Sequence, residues 1–244
     1  MSLEGRVAVV VGGTSGVGKA AARALAAAGA AVTVVARGED RVRAVASELG
    51  VVGMVGDATD ERFVQQLVND LAPDVLVLAL GAPVPMGPID VFTWEAFTSV
   101  WNNDTKASFL FGREALRRPL RPGSAVVVLS SGAGIGGSPL SGGYAGAKRM
   151  QWFLVNYLRG QSDARDLGIR FHALLPRQLI VGTEIGETAA TTYGGPAGRD
   201  AYLARWPRPL TAEDVADALI ASLDPSRVGQ AAFAVDGGGA LAPL

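Results

Sequence analysis

The sequence predicts a single-domain α/β protein in which a doubly wound parallel sheet of about seven strands carries helices on both faces. Short apolar runs alternate with amphipathic stretches along the whole chain. The apolar runs are rich in Val, Leu and Ala at successive positions, as parallel strands buried on both faces are. The chain has 244 residues, of which 49% are hydrophobic, and this suits one domain spanning 1–244.

Each predicted strand is a short apolar run, and most are followed by an amphipathic stretch that predicts a helix. The first strand, RVAVVV, leads through a glycine-rich turn into GKAAARALAAAG, and the alternation then repeats. Right-handed crossovers between parallel strands put the helices on both faces of the sheet. The predicted strands cover 6–11, 31–36, 51–55, 74–80, 124–130, 169–175 and 231–235, and the predicted helices cover 18–29, 39–50, 60–71, 93–118, 142–166 and 211–223.

Composition excludes several classes of function. The formal net charge of −1 gives no reason to expect a nucleic-acid partner. The chain has no cysteine, so disulfides and thiolate metal sites are excluded, and its single histidine, His172, leaves little room for a zinc site or a Ser-His-Asp triad. We predict no metal site and, from its apolar neighbours, a structural role for His172. No signal-peptide pattern or apolar run of ~20 residues is visible, so we expect a cytoplasmic protein without a membrane partner.

The chemically distinctive residues follow the predicted strands. In doubly wound sheets, ligands bind beyond the carboxyl ends of the strands. In chain order these ends carry Gly12–Gly18, Arg37, Asp57, Gly81, the pair Ser130 and Ser131, and Pro176. The sequence therefore predicts a ligand site at this edge of the sheet.

The first turn has the pattern of a dinucleotide-binding loop. Gly12, Gly16 and Gly18 stand between the first strand and a helix, where a Cβ would block tight turns and close approaches. The N-terminus of the helix offers free N–H groups and a positive dipole end to a pyrophosphate. The alternative, a tight turn with no ligand, is less favoured in this context.

The end of the second strand bears on which dinucleotide binds. NAD sites usually have an acidic residue here for the ribose hydroxyls, whereas this chain has Arg37. An arginine suits the 2′-phosphate of NADP, so NADP(H) is favoured over NAD(H). Alternatively, Arg37 is a solvated surface residue or pairs with Glu39 or Asp40. Asp57 is interpreted either as a partner of the adenine amino group or as a turn aspartate.

The stretch SSGAGIGGSPLSGGYAGAK carries the candidate chemistry. Tyr144 and Lys148 are four residues apart at the start of a predicted helix and so share one face. A free tyrosine has a pKa of about 10, and a neighbouring ammonium would lower that pKa toward the working range of an acid–base catalyst. Ser131, at the end of the preceding strand, could hold a carbonyl oxygen beside the tyrosine. The small residues between them would leave space for a substrate.

With these motifs in this order, the chain resembles the short-chain dehydrogenase/reductase family from VGGTSGVG through SS…YAGAK to VDGG. The resemblance implies a Rossmann-like fold, a nicotinamide-dependent oxidoreductase that interconverts a small-molecule carbonyl and a secondary alcohol, and a homotetramer or homodimer. Arg37 makes NADP(H) the favoured cofactor of this oxidoreductase. It implies that Ser131 orients the carbonyl, that Tyr144 is the acid–base and that Lys148 assists Tyr144 and binds the nicotinamide ribose. The cofactor-binding residues would be Gly12, Thr14, Ser15, Gly16, Val17, Gly18, Arg37, Asp57, Ala58, Ala79, Gly81, Tyr144, Lys148, Pro176 and Thr183.

Two departures from the family pattern affect the cofactor and catalytic regions. The usual Asn-Asn-Ala-Gly after the fourth strand is Leu78-Ala79-Leu80-Gly81 here, which keeps the glycine and loses the amides. The fourth catalytic residue of the family, an asparagine, aligns with Asp104. Asn103 is the alternative, which would need a local bulge because one helical step turns a side chain by about 100°. We favour Asp104.

Further differences follow the sixth strand. The usual Pro-Gly is Pro176-Arg177, so Arg177 could point at the substrate, at the phosphates or at solvent. Thr183 resembles the threonine that contacts the nicotinamide amide, and Gln178 is a candidate substrate contact. The stretch 184–208 is interpreted as a mobile substrate lid made of two short helices. Its Tyr193, Tyr202 and Trp206 either line the pocket or anchor the lid.

The sequence alone is also compatible with two other functions. The altered motifs fit a relative that binds a dinucleotide for regulation or scaffolding, without redox turnover. A non-redox isomerase or dehydratase that uses Tyr144 as acid–base is the other candidate. Intact Ser131, Tyr144 and Lys148 argue against the regulatory interpretation.

Overall fold

The computed structural model describes residues 1–227 and 229–244, which form one eight-stranded sheet between two layers of helices. The spatial order of the strands is β3-β2-β1-β4-β5-β6-β7-β8, and all neighbours are parallel except β7 and β8. The strands are β1 (Val7–Val11), β2 (Ala31–Ala36), β3 (Val52–Val55), β4 (Val75–Leu78), β5 (Ala125–Leu129), β6 (Arg170–Pro176), β7 (Ala232–Asp236) and β8 (Ala240–Pro243). The predicted doubly wound sheet is confirmed.

The helices cover both faces of the sheet. The longer helices are α1 (Gly16–Ala27), α2 (Glu39–Leu49), α3 (Glu61–Leu71), α4 (Trp94–Val100), α5 (Lys106–Arg117), α7 (Gly142–Ala164), α8 (Glu184–Gly194) and α10 (Ala212–Ser222), and the short ones are α6 (Ala133–Gly136) and α9 (Gly198–Leu203). Apolar residues of α3, α5 and α7 pack on one face, and those of α1, α2 and α10 pack on the other. Among the helices of the described ranges, none has the length and apolar character needed to cross a membrane.

The two-residue period of the strands divides the core into these two layers. In β1, Val9 and Val11 point to the α3 side, and Ala8 and Val10 point to the α1 side; all four are at most 1% exposed. A strand that is apolar at every position therefore packs against the helices on both faces of the sheet, which explains the unbroken runs of Val and Leu in the sequence.

The chain reverses its direction of winding between β1 and β4. From β1 the sheet continues through β2 and β3 on one side and through β4 to β7 on the other. The loops after β1 and β4 consequently lead to opposite faces and leave a crevice between them. The glycine-rich turn opens onto this crevice.

The structure has one strand more than the seven predicted. β8 runs antiparallel to β7 through the turn Gly237–Gly239, in which Gly238 and Gly239 both have φ +78°. Half-buried Leu241 packs against the core. The sequence signal is weak because the strand is short, lies at the sheet edge and directly follows three glycines.

The helix predicted over 93–118 is interrupted. α4 ends at Val100, a π-turn occupies Trp101–Thr105, and α5 then runs from Lys106. The π-turn adds a residue to the helical repeat, so side chains after it face a different direction from those of an unbroken helix. This change of register occurs in the segment that holds both candidates for the fourth catalytic position.

Candidate active site

A cavity of about 820 Å³ opens at the carboxyl edge of the sheet. Its volume lies in the range of small-molecule and cofactor sites. It is lined at one end by the turn after β1 and the start of α2, in the middle by the ends of β4 and β5, and at the other end by α8 and the segment after β6. Every residue predicted for the cofactor, the substrate or catalysis lines it, including Ala58, Ala79 and Gly81. The structure thus brings together the strand ends that the sequence predicted.

The glycine turn has no room for side chains. A Cβ on Gly12 would overlap the carbonyl oxygen of Ala79, and a Cβ on Gly18 would overlap the carbonyl oxygen of Gly12. Gly12 and Gly16 also have φ values of +81° and +46°, in the left-handed region that favours glycine. α1 begins at Gly16, and the side chain of its N-cap, Ser15, accepts no capping hydrogen bond. The backbone amides at this end remain available, so a pyrophosphate fits the turn.

Two arginines line the end of the cavity formed by the turn after β1 and the start of α2, which is named the nucleotide end for its candidate role. Arg37 follows β2, and Arg41 lies one helical turn further on. Glu39 and Asp40 both pair with Arg43, at 2.7 and 3.9 Å, rather than with Arg37. Among the described residues, neither Arg37 nor Arg41 has an ion-pair partner within 4 Å, so both guanidinium groups can meet an anion.

Asp57 serves as a turn residue at the same end of the cavity. Its Oδ1 accepts hydrogen bonds from the backbone N and from the Oγ1 of Thr59, both at 2.8 Å. The backbone hydrogen bond from Thr59 lowers the pKa of this carboxyl, partial burial opposes the change, and the Thr59 hydroxyl and the charges of Arg37 and Lys106 lower it further. Asp57 therefore stays ionised near Arg37.

Lys148 and Asp104 form a buried ion pair on the cavity floor. Lys148 Nζ lies 2.9 Å from Asp104 Oδ2, and the two side chains are 3% and 1% exposed. Lys148 Nζ also donates to the carbonyl oxygen of Leu129 at 3.2 Å. Burial lowers the pKa of Lys148, but the charges of Asp104 and Tyr144 and the hydrogen bond to Asp104 outweigh it, so the pKa lies above its ordinary value.

Tyr144 lies beside this pair. Lys148 Nζ is 5.6 Å from the centre of the Tyr144 ring, as expected for two residues four apart on one helix face. Tyr144 is half-buried and lines the cavity, as does Ser131. Ser131 Oγ accepts from Ala133 N at 3.2 Å, and this contact starts α6. The arrangement combines a phenol, an ammonium and a serine hydroxyl in one cavity, and it can exchange a proton with a bound oxygen atom.

Neighbouring contacts fix the position of the helix that carries Tyr144 and Lys148. Ser130 Oγ donates to the carbonyl oxygen of Lys148 at 2.7 Å and so ties the end of β5 to α7. Gly132 N donates to the carbonyl oxygen of Pro176 at 2.7 Å and joins the ends of β5 and β6. A Cβ on Gly132 would lie 2.9 Å from this oxygen, so the close approach of the two strand ends requires glycine.

Asp104, rather than Asn103, contacts Lys148. Asn103 lines the cavity, but its Nδ2 donates to the carbonyl oxygen of Ser99 at 3.1 Å. The sequence favours Asp104 because that choice needs no change of helical register, whereas the structure has a π-turn at these residues and still directs Asp104 to Lys148. An unbroken helical register is therefore not what brings the Asp104 side chain to Lys148.

The segment after β6 places three predicted residues in the wall. Arg177 lines the cavity, is exposed, and pairs through Nη1 with Asp236 Oδ2 at 3.4 Å. The Gln178 amide donates to the carbonyl oxygen of Arg208 at 3.1 Å and accepts from Gly237 N at 3.3 Å. Thr183 caps α8 by accepting from Gly186 N at 3.1 Å, and its methyl group lies against Gly16. Gln178 and Thr183 thus have structural contacts in addition to their places in the cavity.

The stretch 184–208 forms two short helices that are separated at Gly194–Pro196. They lie at the end of the cavity lined by α8 and the segment after β6, which is named the substrate end for its candidate role. The Tyr193 hydroxyl hydrogen-bonds to Ser138 Oγ and accepts from Leu140 N at 3.2 Å. Tyr202 stacks on Tyr193 and meets the Trp206 ring edge-on. Tyr193, Tyr202 and Trp206 therefore have both of the roles that the sequence left open. They line the cavity, and their contacts with one another and with the loop at Ser138 and Leu140 hold the segment in place.

Sequence reasoning missed Arg41 and the loop 137–141. The signal for Arg41 was its spacing, since a residue four after Arg37 at a helix start returns to the same side. The loop gave no comparable signal, because the contact of Ser138 with Tyr193 joins residues 55 apart in the chain.

Comparisons with known proteins agree with this geometry. A family model described as short chain dehydrogenase matches residues 6–192. A cis-4-hydroxycyclohexanecarboxylate dehydrogenase of Sinomonas cyclohexanicum is 35% identical over 250 residues that cover 96% of each chain. A sulfoacetaldehyde reductase 2 of Chromohalobacter salexigens is 29% identical and covers 94% of this chain and 98% of its own. An NADPH-bound short chain oxidoreductase of Pseudomonas aeruginosa with a catalytic centre described as atypical has the same fold, with a TM-score of 0.83 at 23% identity over 98% of both chains.

Proposed function

Since the chain belongs to the short-chain dehydrogenase family of oxidoreductases, we propose that it is an NADP(H)-dependent enzyme that interconverts a carbonyl compound and a secondary alcohol with Tyr144 as acid–base. The observation that carries the proposal is the position of Tyr144 and Lys148 on one face of α7, in the cavity onto which the glycine turn opens. A phenol beside a fixed ammonium suits proton exchange with a carbonyl or alcohol oxygen, and here the two groups lie near a glycine-rich turn of the kind that binds dinucleotides.

The chain's own residues would hold the cofactor along the strand ends. The amides of the turn from Gly12 to Gly18 would bind the pyrophosphate, and Lys148 would bind the nicotinamide ribose. Thr183 lies against Gly16 and would close the site from the lid side. When bound, the nicotinamide supplies the hydride donor or acceptor.

The protein's part in the chemistry is orientation and proton transfer. Ser131 would donate a hydrogen bond to the substrate oxygen and fix it next to Tyr144. Tyr144 would give its proton to that oxygen during reduction and take it back during oxidation. The Lys148 ammonium donates hydrogen bonds to Asp104 and to the carbonyl oxygen of Leu129, and these contacts would keep its positive charge in a fixed position beside Tyr144.

The arginines at the end of β2 support NADP(H) over NAD(H). Arg37 and Arg41 offer two guanidinium groups one helical turn apart, without an ion-pair partner among the described residues. An acidic residue for the ribose hydroxyls is missing at the end of β2, where NAD enzymes have one. A 2′-phosphate would accept charge-assisted hydrogen bonds from both arginines.

The substrate end supports an anionic substrate. Arg177 contributes a guanidinium to its wall that is exposed although it pairs with Asp236 at 3.4 Å, and the aromatic side chains of Tyr202 and Trp206 line the same cavity. The two relatives described above are named for a hydroxycyclohexanecarboxylate and a sulfoacetaldehyde, which both carry an acidic group. We therefore propose a hydroxy or oxo acid as substrate, with residues 184–208 as the lid that closes over it.

Surface aromatic residues support self-association. Phe109 on α5 and Phe153 and Tyr157 on α7 are exposed by 45, 38 and 59%. Exposed aromatic side chains on two long helices suit a homodimer or homotetramer, because such patches are usually covered by a partner. Light scattering of the purified protein measures this directly.

One experiment with two readouts tests the proposed function. First, NADPH and NADH are titrated by quenching of tryptophan fluorescence in the wild type, in Arg37→Ala and in Arg62→Ala, a control at an exposed arginine outside the cavity. Arg37→Ala should weaken NADPH binding by about tenfold or more and leave NADH binding nearly unchanged, because a charge-assisted bond to the 2′-phosphate is lost. Equal weakening of both cofactors contradicts the role of Arg37.

The second readout is turnover. Wild type and Tyr144→Phe are assayed with NADPH and a panel of ketones that includes neutral compounds and oxo acids such as 4-oxocyclohexanecarboxylate. The variant should lose roughly 10²–10⁴-fold in rate while it still binds NADPH. Substantial residual reduction contradicts the role of Tyr144. NADPH binding without turnover of any compound favours the regulatory alternative, and turnover without redox change favours the isomerase or dehydratase.

A further inference from the structure

The carboxylate on the cavity floor is more firmly held than a simple counter-ion requires. Asp104 Oδ2 contacts Lys148 Nζ at 2.9 Å, and its Oδ1 accepts from Ala82 N at 3.2 Å. Both carboxylate oxygens therefore have a donor in a position that is only 1% exposed. Breaking either contact would leave a buried charge with one partner fewer, so the carboxylate stays where it is.

The backbone at Asp104 is fixed as well. Its carbonyl oxygen accepts from Ser108 Oγ at 2.7 Å and from Gln151 Nε2 at 3.2 Å. Thr105 Oγ1 donates to the carbonyl oxygen of Ala147 at 3.3 Å. Gln151 and Ala147 both lie on α7, the helix that carries Tyr144 and Lys148. The π-turn and α7 are thus bound together directly behind the ion pair.

This geometry changes the field that Tyr144 experiences. A lone ammonium near a phenol favours the phenolate, whereas an ammonium with a carboxylate at 2.9 Å acts as a dipole whose field falls off faster with distance. The interaction is strong because little water reaches the pair. Asp104 thereby offsets much of the positive charge with which Lys148 would otherwise stabilise ionised Tyr144.

Other charged groups around Tyr144 do not replace this effect. On α7, the Arg149 guanidinium lies over the rings of Trp152 and Phe153. After β6, Arg177 is paired with Asp236. From the lid, Glu184 lines the cavity and Tyr193 bonds to Ser138. Neither β5 nor the π-turn adds a further charge beside the pair.

We propose that Asp104 is a positioning residue that holds the Tyr144 hydroxyl protonated at neutral pH, so that the site is set to donate a proton and to work as a reductase. The inference rests on the proposed function in so far as Tyr144 is the acid–base of the site. It adds a direction to that function: reduction is favoured near neutral pH, and oxidation requires alkaline conditions.

The test follows the ionisation of Tyr144 without any substrate. The alkaline rise in tyrosinate absorbance is recorded for the wild type and for Asp104→Asn, and each curve is corrected by subtracting the same protein with Tyr144→Phe. Asp104→Asn removes one charge at nearly constant shape, so the midpoint of the difference curve should move to lower pH by about one pH unit or more. Glu184→Gln, which removes a cavity carboxylate that does not touch Lys148, should move it by less than about 0.3 pH unit.

Two results would overturn the proposal. An unchanged midpoint in Asp104→Asn, in a protein with the wild-type circular dichroism, shows that Asp104 does not control Tyr144. A wild-type midpoint below about pH 8 shows that the hydroxyl is not held protonated, and this result does not depend on whether Asp104→Asn folds.

A further readout follows once a substrate is found. The pH profile of alcohol oxidation should move to lower pH in Asp104→Asn, so that oxidation near pH 7 rises about tenfold for each pH unit by which the profile moves. Because the absorbance titration needs no turnover, failure of the proposed function leaves it interpretable. Likewise, an active enzyme whose midpoint is the same in Asp104→Asn as in the wild type rejects only the role of Asp104.

Discussion

The floor and the lid of the cavity each contain a close ion pair that joins separate parts of the chain, and the two pairs have opposite surroundings. On the floor, Lys148 and Asp104 are 2.9 Å apart with side chains 3% and 1% exposed. In the lid, Arg199 pairs with Glu187 through two hydrogen bonds, with side chains 43% and 37% exposed. The contact distances alone would rank the lid pair as the equal of the floor pair. Burial separates them.

The difference shows what each pair can do. Water competes for the exposed lid pair and salt screens it, so a pair of this kind suits a segment that is proposed to open. The buried floor pair has no such competition, and removal of one partner leaves the other charge unsolvated. The floor is therefore expected to be rigid and decisive for stability, and the lid adjustable.

The largest expected effect comes from breaking the floor pair. Asp104→Ala leaves the Lys148 ammonium buried without its counter-charge and should lower the free energy of unfolding by about 3–5 kcal/mol, as measured by urea denaturation. The double variant Asp104→Leu/Lys148→Met, which removes both charges, should recover most of this loss. A loss below about 1 kcal/mol in Asp104→Ala would show that the pair is no more important than a surface contact.

The fold was largely predictable because its signals are local. Runs such as VAVVV and the amphipathic stretches after them identified the parallel strands and the helices that cover them, and the resemblance to the short-chain dehydrogenases is confirmed by the family match over residues 6–192. β8 was missed because an edge strand of four residues after three glycines has little periodicity of its own.

The nucleotide end was more predictable than the substrate end, for a physical reason. It is built from backbone at strand ends, where glycines and the order of the strands determine the geometry. The substrate end depends on long-range contacts, such as Tyr193 with Ser138, and on the π-turn that directs Asp104 to Lys148. Neither contact follows from a local pattern, and so Asp104 could be named as a candidate but its buried pairing could not be derived.

A smaller effect is expected at a buried group that has no counter-charge. His172 is 1% exposed, stacks on Phe233, and has an Nδ1 without a hydrogen-bond partner among the described residues. Burial, followed by the charges of Arg170 and Arg159, lowers the pKa of His172 to about 4. In contrast to Lys148, this group avoids the cost of a buried charge by staying neutral.

The sign of its pH dependence follows from linkage. Between the ordinary pKa of 6.5 and about 4, the unfolded chain binds a proton that the folded chain does not. The stability is thus fully present above about pH 6.5 and is lost as the pH falls through this window. From about pH 7 to about pH 5, the free energy of unfolding should fall by about 2 kcal/mol in the wild type and by clearly less in His172→Leu. Equal falls in both proteins would assign the effect to the carboxyl groups.

The smallest effect on stability, and a local one, is expected in the lid. The hydrogen bond from Arg199, followed by that from Gly182 N, lowers the pKa of Glu187 to about 2, so the pair stays charged down to strongly acid pH. Glu187→Gln removes the charge and keeps the hydrogen-bonding shape. The unfolding midpoint should not change measurably, because both side chains are solvated.

The lid itself should open more often in this variant. Arg199 and Arg205 lie within the lid and are sites for trypsin, so limited proteolysis reports its opening without requiring a substrate. Glu187→Gln should be cut up to about fivefold faster there than the wild type. Asp200→Asn, which removes the other, 92% exposed partner of Arg199, should be cut at the wild-type rate. If Glu187→Gln instead lowered the unfolding midpoint as much as Asp104→Ala does, the exposed pair would be as decisive as the buried one, and burial would not be what separates the floor from the lid.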